Sequence, residues 1–446
     1  MNLLFVSLGC DKNLVDSEHM LSLLAKDGFT LVEEESEADV IIVNTCCFIH
    51  DAMEESIQTL IDLGRYKTEG KCKVLLAAGC LAQRHADDIR RELPEVDGVI
   101  GTNGYDTIVK AVQTALSGKR PENLPGLSGL PQTGSGRILT TGGHYAYLKI
   151  AEGCDKHCTY CVIPSIRGNY RSLPMEELLA EARQLAADGV RELILVAQET
   201  TLYGTDLYGK KSLPRLLEEL NAIEGIAWIR LLYCYPEEID DALIDAILAN
   251  DKVCHYIDMP IQHCNDEILR RMGRRTDKRQ LEQVIDRLRE RIPDIALRTT
   301  LICGFPGETD KAHQELVQFV RSQQFDRLGA FCYSQEEGTP AAAMPQQIDE
   351  EFKQQRYEAV MEAQQSVSAE KNRKRIGETE TVFIEGRVAD EDGVYVGRTY
   401  RDAPDVDGYL FLESPYDLMS GRFVRAIVTD AQEYDLIGEL IDESTK

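Results

Sequence analysis

Three apolar segments near the N-terminus constrain the fold most strongly, because each has the length of a buried strand and is followed closely by a cysteine. The segments are residues 3–6, 40–43 and 74–77, and the cysteines that follow them are Cys10, Cys46 and Cys80. Segments of helical character separate them, which predicts a doubly wound α/β domain with a parallel sheet. Such sheets bind ligands at the carboxyl ends of their strands, so the three cysteines are predicted to converge on one site.

Cysteine is also common in protein cores as a small apolar residue. That is the simpler interpretation of Cys47 and Cys72. A core role explains Cys10, Cys46 and Cys80 less well, because all three follow strand ends in the same register. Cys47 adjoins Cys46, however, and stays an alternative to it as a ligand.

A second group of cysteines, Cys154, Cys158 and Cys161, forms a Cys-x-x-x-Cys-x-x-Cys run after an extended segment. Three thiolates so close in sequence can hold one soft metal centre and leave the fourth corner of a tetrahedral cluster open for chemistry. The alternative is a structural zinc site completed by His157 or by a distant cysteine. Zinc knuckles typically pair Cys-x-x-Cys with a second such pair, which this sequence lacks, so we favour an iron–sulfur cluster.

The run resembles the signature of the radical S-adenosylmethionine (SAM) enzymes, which usually carry an aromatic residue at the position of Tyr160. The resemblance implies a four-iron, four-sulfur cluster held by Cys154, Cys158 and Cys161, with SAM chelated to the fourth iron. In this family one electron then cleaves SAM to a 5'-deoxyadenosyl radical. The resemblance makes Tyr160 a candidate cofactor-binding residue.

Residues 144–376 alternate apolar strands with helical segments, the last of which, 349–375, is a long helix without Gly or Pro. We predict strands at residues 145–151, 192–197, 228–233, 256–261, 297–303 and 327–333. Six strand-helix units are too few to close an eightfold barrel and predict a partial (β/α)6 barrel, with function at the carboxyl ends of its strands.

Two further segments follow strands of this predicted barrel. A Gly-Phe-Pro-Gly-Glu sequence at residues 304–308 reads as a tight strand-to-helix turn. In radical SAM enzymes a similar turn approaches the adenine of SAM, which makes Gly304 a second cofactor-binding candidate. Residues 198–204 do not reproduce the Gly-Gly-Glu of many members, and the residue that contacts the SAM amino group stays unassigned.

The remaining regions extend the resemblance to the methylthiotransferases, whose N-terminal domain holds a second four-iron, four-sulfur cluster through three cysteines. Cys10, Cys46 and Cys80 match those positions. We predict an N-terminal domain at residues 1–116, a Gly/Pro-rich linker at 117–143, the radical SAM domain at 144–376 and a small antiparallel β-barrel at 377–446. The barrel resembles the TRAM domain, which usually binds RNA.

Charge argues against a nucleic acid as the primary partner. The 446-residue chain has a formal net charge of -27, and residues 378–446 contain about 17 acidic and 6 basic side chains. Phosphate backbones require clustered Lys and Arg, so a basic protein is the better electrostatic match. The sequence has no basic leader and no uncharged apolar run near 18 residues, which predicts a soluble cytoplasmic protein without a membrane partner. In such a protein, thirteen cysteines indicate metal or redox chemistry.

Residues 7–18, 144–150 and 163–168 resemble the methylthiotransferase branch that modifies ribosomal protein twelve of the small subunit, free or on the ribosome. That resemblance implies hydrogen abstraction from the β-carbon of an aspartate, methylthio transfer from the N-terminal cluster, a second SAM as methyl donor and an external electron donor. One alternative is methylthiolation of a transfer RNA adenosine. Another is an iron–sulfur electron carrier, which would leave a partial barrel and a cluster with an open corner unexplained.

Overall fold

The computed structural model describes residues 1–131, 136–389 and 391–441. Its first sheet contains β1 (Asn2–Ser7), β2 (Thr30–Leu31), β3 (Val40–Thr45), β4 (Val74–Gly79), β5 (Gly98–Ile100) and β6 (Glu122–Asn123). All pairs in this sheet are parallel, in the order β2-β1-β3-β4-β5-β6. The helices are α1 (Asp11–Lys26), α2 (His50–Gly64), α3 (Tyr66–Glu69), α4 (Cys80–Arg84), α5 (Ala86–Glu92) and α6 (Ile108–Leu116).

The central strands β3 and β4 are buried along their whole length, because helices cover both faces of the sheet. Ile41 and Val43 pack into one apolar cluster, whereas Val40 and Ile42 pack into another on the opposite face. This alternation is what a doubly wound sheet requires, and it confirms the predicted fold class of this region.

The second sheet is also entirely parallel. It contains β7 (Tyr145–Lys149), β10 (Glu192–Val196), β11 (Trp228–Leu231), β12 (Val253–Asp258), β13 (Ala296–Cys303) and β14 (Arg327–Cys332), and the short β8 (Ala151–Glu152) and β9 (Arg171–Ser172) pair separately. The order β14-β13-β12-β11-β10-β7 is that of an open six-stranded partial barrel, as predicted.

Helices surround this second sheet. They are α7 (Ile163–Arg167), α8 (Met175–Ala187), α9 (Thr205–Tyr208), α10 (Leu213–Asn221), α11 (Asp241–Ala249), α12 (Asp266–Arg271), α13 (Lys278–Arg291), α14 (Asp310–Gln323) and α15 (Glu350–Lys374). The long helix α15 agrees with the predicted one. Among the described residues, no helix is both long and apolar enough to span a membrane.

The C-terminal region closes into a five-stranded barrel in the order β15-β16-β17-β19-β18. Its strands are β15 (Thr379–Arg387), β16 (Val394–Arg398), β17 (Leu410–Glu413), β18 (Phe423–Ala431) and β19 (Leu436–Leu440). Four of its ladders are antiparallel, as predicted for this barrel, and β17 and β19 pair in parallel. The parallel pair lets a fifth strand close the barrel, so that no edge stays open.

The three regions pack together through one apolar cluster that includes Val15, Tyr256 and Phe383, one residue from each region. In the predicted linker, residues 122–123 form the edge strand β6, and Arg137 pairs with Glu18 of α1 and Glu181 of α8. Residues 132–135 of that linker, and residues 390 and 442–446 of the predicted barrel, lie outside the described residues.

Candidate metal centres

The first three candidate cysteines lie at one edge of the first sheet. Cys10 follows β1, Cys46 follows β3, and Cys80 begins α4 directly after β4. These three strands are neighbours in the sheet and run in the same direction. The side chains therefore meet at the carboxyl edge, although each comes from a different strand-helix unit.

Glycines allow the chain to turn sharply at two of these strand ends. Gly9 has φ +89° and Gly79 has φ +87°, a backbone region that other residues rarely adopt. A Cβ on Gly9 would lie 3.0 Å from Cys46 Sγ, and one on Gly79 would lie 2.2 Å from Asn44 Oδ1. The bare backbone lets Cys10 approach Cys46.

The Cys46 thiol lies near both Cys10 and Cys80, whereas the Cys47 thiol lies near Cys80. The proximity of Cys10 contributes to the raised pKa of the Cys46 thiol, for which burial is the main cause. Burial also raises the pKa of Cys47 to about 12, with Cys80 and Cys46 as the neighbouring thiols that add to the shift. Cys72 is a small core residue whose thiol donates to Val74 O at 3.3 Å.

The second group of cysteines occupies the loop between β8 and α7. Gly153, with φ +79°, precedes Cys154, and a Cβ there would lie 2.2 Å from Asn169 O. The loop is held by backbone hydrogen bonds from Cys154 N to Gly168 O (3.1 Å) and from Thr159 N to Met272 O (2.9 Å). These contacts fold the run into a compact turn in which the Cys161 thiol lies near the thiols of Cys158 and Cys154.

Burial favours the protonated form of Cys154, Cys161 and Cys80. It raises the pKa of Cys154 to about 11, of Cys161 to about 12 and of Cys80 to about 12, and thiolates within each group add to the shifts by repulsion. A bound cation reverses this effect, since metal ligation requires the thiolate. Loading either site should therefore release protons.

Both sites fit an iron–sulfur cluster better than a single ion. Among residues 1–131, 136–389 and 391–441, no three His, Cys, Asp or Glu side chains lie close enough to hold one metal ion. A four-iron cube is larger than one ion and holds its thiolates further apart, and all-sulfur donors suit it. His157, the alternative zinc ligand, is exposed.

Buried polar groups without hydrogen-bond partners surround the second cysteine group. They include Glu199 Oε2, just beyond β10, and Arg274 Nε and Nη1. The guanidinium of Arg274 stacks 4.4 Å from the Tyr235 ring centroid. Burial raises the pKa of Glu199 to about 7, against the attraction of Lys156, whose Nζ lies 3.7 Å away. Such groups are expected where a polar ligand completes the site.

Of the two predicted cofactor-binding residues, Tyr160 lies within the cysteine loop and Gly304 precedes Phe305, which contacts Tyr160. Tyr160 is half-buried and contacts Phe305 edge-on, at 6.4 Å between ring centroids. Gly304 has φ +76°, and a Cβ there would lie 2.3 Å from Lys353 Cγ of α15. Close packing against α15 is therefore enough to explain why a glycine occupies position 304. Contact with SAM stays a prediction for both Tyr160 and Gly304.

The structure also contains a buried charge network that the sequence did not predict. Lys149 Nζ donates to Asp16 and, at 2.8 Å, to Glu152 Oε2; Arg167 Nη1 donates to Asp16 Oδ2 at 2.7 Å. All four side chains are at most 4% exposed. One feature of the sequence could have indicated this network. Lys149 ends an otherwise apolar strand, where an unpaired buried charge would be costly, so an acidic partner could have been expected.

The carboxyl edges of the two sheets contact each other. Tyr233, just beyond β11, donates from its hydroxyl to Asp11 Oδ1 at 3.2 Å, next to Cys10. Arg84 of α4 donates to Glu337 O at 2.5 Å in the loop after β14. The two cysteine groups therefore lie at two sheet edges that are joined.

Comparisons with known proteins agree with this architecture. Residues 2–101 match the model of the uncharacterized protein family UPF0004, residues 148–320 that of the radical SAM superfamily, and residues 376–441 that of the TRAM domain. A radical SAM methyltransferase, TsrM of Kitasatospora setae, shares the fold with a TM-score of 0.56 at 14% identity, over 89% of this chain and 80% of that one. The fold and the cysteine run define a radical SAM protein.

The curated relatives narrow this class to one family. The ribosomal protein uS12 methylthiotransferase RimO of Lachnoclostridium phytofermentans is 56% identical over 98% of this chain and 99% of its own length. Proteins of the same name from Geobacter sulfurreducens and Clostridioides difficile are 51% and 47% identical, each over 98% of this chain and 98% of their own length. The chain belongs to the RimO family of methylthiotransferases.

Proposed function

We propose that this protein adds a methylthio group to the β-carbon of an aspartate in ribosomal protein uS12. The observation that carries the proposal is the pair of cysteine groups at two joined carboxyl edges, in a chain 56% identical to a uS12 methylthiotransferase. Cys154, Cys158 and Cys161 are the proposed ligands of one four-iron, four-sulfur cluster. Cys10, Cys46 and Cys80 are the proposed ligands of the other.

The reaction needs a cofactor because an unactivated C–H bond offers no acidic proton to a general base. A four-iron, four-sulfur cluster held by Cys154, Cys158 and Cys161 would bind SAM and would supply the 5'-deoxyadenosyl radical that this step needs. The protein contributes placement, since contacts such as that between Tyr233 and Asp11 keep the two edges together. Tyr160 and Gly304 are proposed to contact SAM, and the unpartnered atoms of Glu199 and Arg274 are further polar groups available to it.

The proposed substrate sets the remaining assignments. A basic ribosomal protein, free or on the ribosome, suits the net charge of -27. The protein also requires an electron donor, and its place of action is the cytoplasm. The proposed domains are residues 1–116, 144–376 and 377–446, joined by the segment 117–143.

One experiment separates this proposal from its alternatives. Anaerobically reconstituted enzyme is given SAM and dithionite, with either purified uS12 or transfer RNA, and both macromolecules are weighed by mass spectrometry. We expect methylthiolated uS12 and unmodified transfer RNA. Modified transfer RNA alone would assign the adenosine reaction instead, and absence of 5'-deoxyadenosine would indicate an electron carrier.

A further inference from the structure

Arg167 connects the two candidate metal centres. It ends the short helix α7, six residues after Cys161, yet its side chain reaches into the first region of the chain and is only 2% exposed. Its Nη2 lies 3.6 Å from Cys80 Sγ and donates to Asn13 Oδ1 at 2.6 Å. A residue of the central region thus touches one of the N-terminal candidate ligands directly.

Asn13 extends this contact to the supports of the other two N-terminal cysteines. Its Nδ2 donates to Leu8 O at 2.8 Å and to Thr45 O at 3.0 Å. Leu8 lies two residues before Cys10, and Thr45 immediately precedes Cys46. Because both amide hydrogens are used on these carbonyls, Oδ1 is left to accept from Arg167, which fixes the orientation of the amide.

The other side of the guanidinium leads to the second cysteine group. Arg167 Nη1 donates to Glu152 Oε1 and Oε2 at 3.2 and 3.1 Å. Glu152 Oε1 also accepts from Gln198 Nε2, and Gln198 Oε1 accepts from Gly153 N at 2.8 Å, beside Cys154. A continuous chain of buried and half-buried hydrogen bonds therefore runs between the turns that carry the two groups.

The charges in this network fit a role beyond holding the fold. Arg167 and Lys149 face Asp16 and Glu152, so the buried side chains balance without Cys80. Arg167 therefore has its carboxylate partners already and still directs Nη2 toward the sulfur. Donors placed on ligand sulfurs, and the cations that carry them, stabilise added negative charge and raise the reduction potential of an iron–sulfur centre.

We propose that Arg167 is a positioning residue for the N-terminal cluster, which orients all three of its ligand turns through Asn13 and Cys80 and sets the reduction potential of that cluster. The proposal rests on the proposed ligand role of Cys10, Cys46 and Cys80. It also makes the N-terminal site depend on a side chain from the central region, so that the site is complete only when both regions are docked.

The test isolates the N-terminal cluster in the full-length chain. With Cys154, Cys158 and Cys161 all changed to Ala, the reconstituted protein should hold a single cluster, whose iron content and midpoint potential are measured by iron analysis and EPR-monitored redox titration. Arg167→Gln and Arg167→Lys are introduced separately. Arg230→Gln is the matched control, since Arg230 is fully buried and paired with Glu192 at 2.7 Å but touches none of the six cysteines.

We expect Arg167→Gln to lower the iron content and to shift the midpoint potential of the remaining cluster to more negative values. Arg167→Lys, which keeps the charge, should restore part of the potential, whereas Arg230→Gln should leave it unchanged. An unshifted potential and full iron content in both Arg167 variants would overturn this inference alone. No cluster in the triple-cysteine variant with Arg167 intact would instead overturn the proposed ligand set and, with it, the inference.

If Arg167→Gln does not fold, as circular dichroism would show, Asn13→Ser is used in its place. That variant removes the amide link to Leu8 and Thr45 but leaves Arg167 and its carboxylate partners intact. Loss of iron from Asn13→Ser would support the positioning role. Full iron content and an unchanged potential would contradict it.

Discussion

Cys46 and Cys47 are adjacent and both buried, but the Cys46 thiol interacts with Cys10 and the Cys47 thiol with Cys80. If Cys46 is a ligand, Cys46→Ala should lose the N-terminal cluster and the methylthiolated product while it keeps some reductive cleavage of SAM, because the second cysteine group is untouched. Cys47→Ala removes a thiol of the same size from the core and should keep both clusters. Iron content, 5'-deoxyadenosine and modified uS12 are measured in parallel.

The opposite pattern would reassign the site. Product at the normal level from Cys46→Ala, with loss from Cys47→Ala, would transfer the ligand role to Cys47. Loss from both variants together with lower thermal stability would indicate that the turn after β3 tolerates no cavity.

A second prediction at the residue scale concerns His19 and the pH dependence of stability. Burial lowers the pKa of His19, which stacks on Tyr105, from 6.5 to about 4. The unfolded chain then binds a proton that the folded chain refuses, so stability is full above pH 6.5 and falls as the pH drops toward 4. The loss reaches about 3 kcal/mol at pH 4.

His19→Gln removes this titration. The melting temperature of the metal-free variant should therefore decrease less between pH 7 and pH 5 than that of the parent chain. His255→Gln is the control, since His255 is partly exposed beside Asp294. Equal pH dependence in the parent and in His19→Gln would contradict the burial argument.

At the scale of elements, the ends of β1 and β4 depend on glycine. Ala at position 79 would adopt an unfavourable φ and would also place its Cβ 2.2 Å from Asn44 Oδ1 and 2.7 Å from Thr45 O. Gly28 has a similar φ of +89° but no neighbour within 4 Å of its Cβ position, so Gly28→Ala costs only the backbone strain.

We therefore expect Gly28→Ala to lower stability by about 1 kcal/mol and Gly79→Ala by about 3 kcal/mol. Only Gly79→Ala should also reduce the iron bound by the N-terminal site, since it displaces the turn that carries Cys80. Thermal unfolding and iron analysis check both expectations. Equal losses from the two variants would show that the strand end relaxes without harm to the site.

The long elements were predictable because their apolar patterns decide them. The strands β3, β4 and β10 are buried runs flanked by turn residues, and the helix α15 contains no Gly or Pro. The strands β2 and β6 have two residues each, too few for a pattern, and β19 closes the barrel by pairing with both β17 and β18.

Within the candidate site, the sequence allowed a prediction of the cysteines, because their spacing is a recognisable pattern. It did not allow a prediction of the polar residues that connect them. Asn13, Glu152 and Arg167 act through contacts between residues as far apart as 154 positions, and no local pattern records such pairs. Their burial follows from the docking of two regions, which a single sequence does not specify.

At the scale of the whole molecule, the acidic side chains of the C-terminal barrel fall into two groups, one paired with the central region and one exposed. Some carboxylates face inward: Asp402 accepts from Arg327 Nε at 2.9 Å, and Asp407 from Arg298 Nε at 3.3 Å. These pairs hold the barrel against the central region and are not available to a partner. Glu413 and Glu439, in contrast, are exposed neighbours on the paired strands β17 and β19.

The double variant Glu413→Lys/Glu439→Lys should therefore weaken the binding of uS12 and flatten its salt dependence. Exposed pairs contribute a few tenths of a kcal/mol each, so the reversal should cost about 1 kcal/mol, or roughly fivefold in Kd. Glu33→Lys/Glu34→Lys makes the same change in net charge on exposed residues of the first region and serves as control. Binding is measured by titration at several salt concentrations, and SAM cleavage without substrate should stay unchanged in both variants. If both double variants weaken binding equally, net charge alone attracts the substrate, and the barrel carries no specific docking surface.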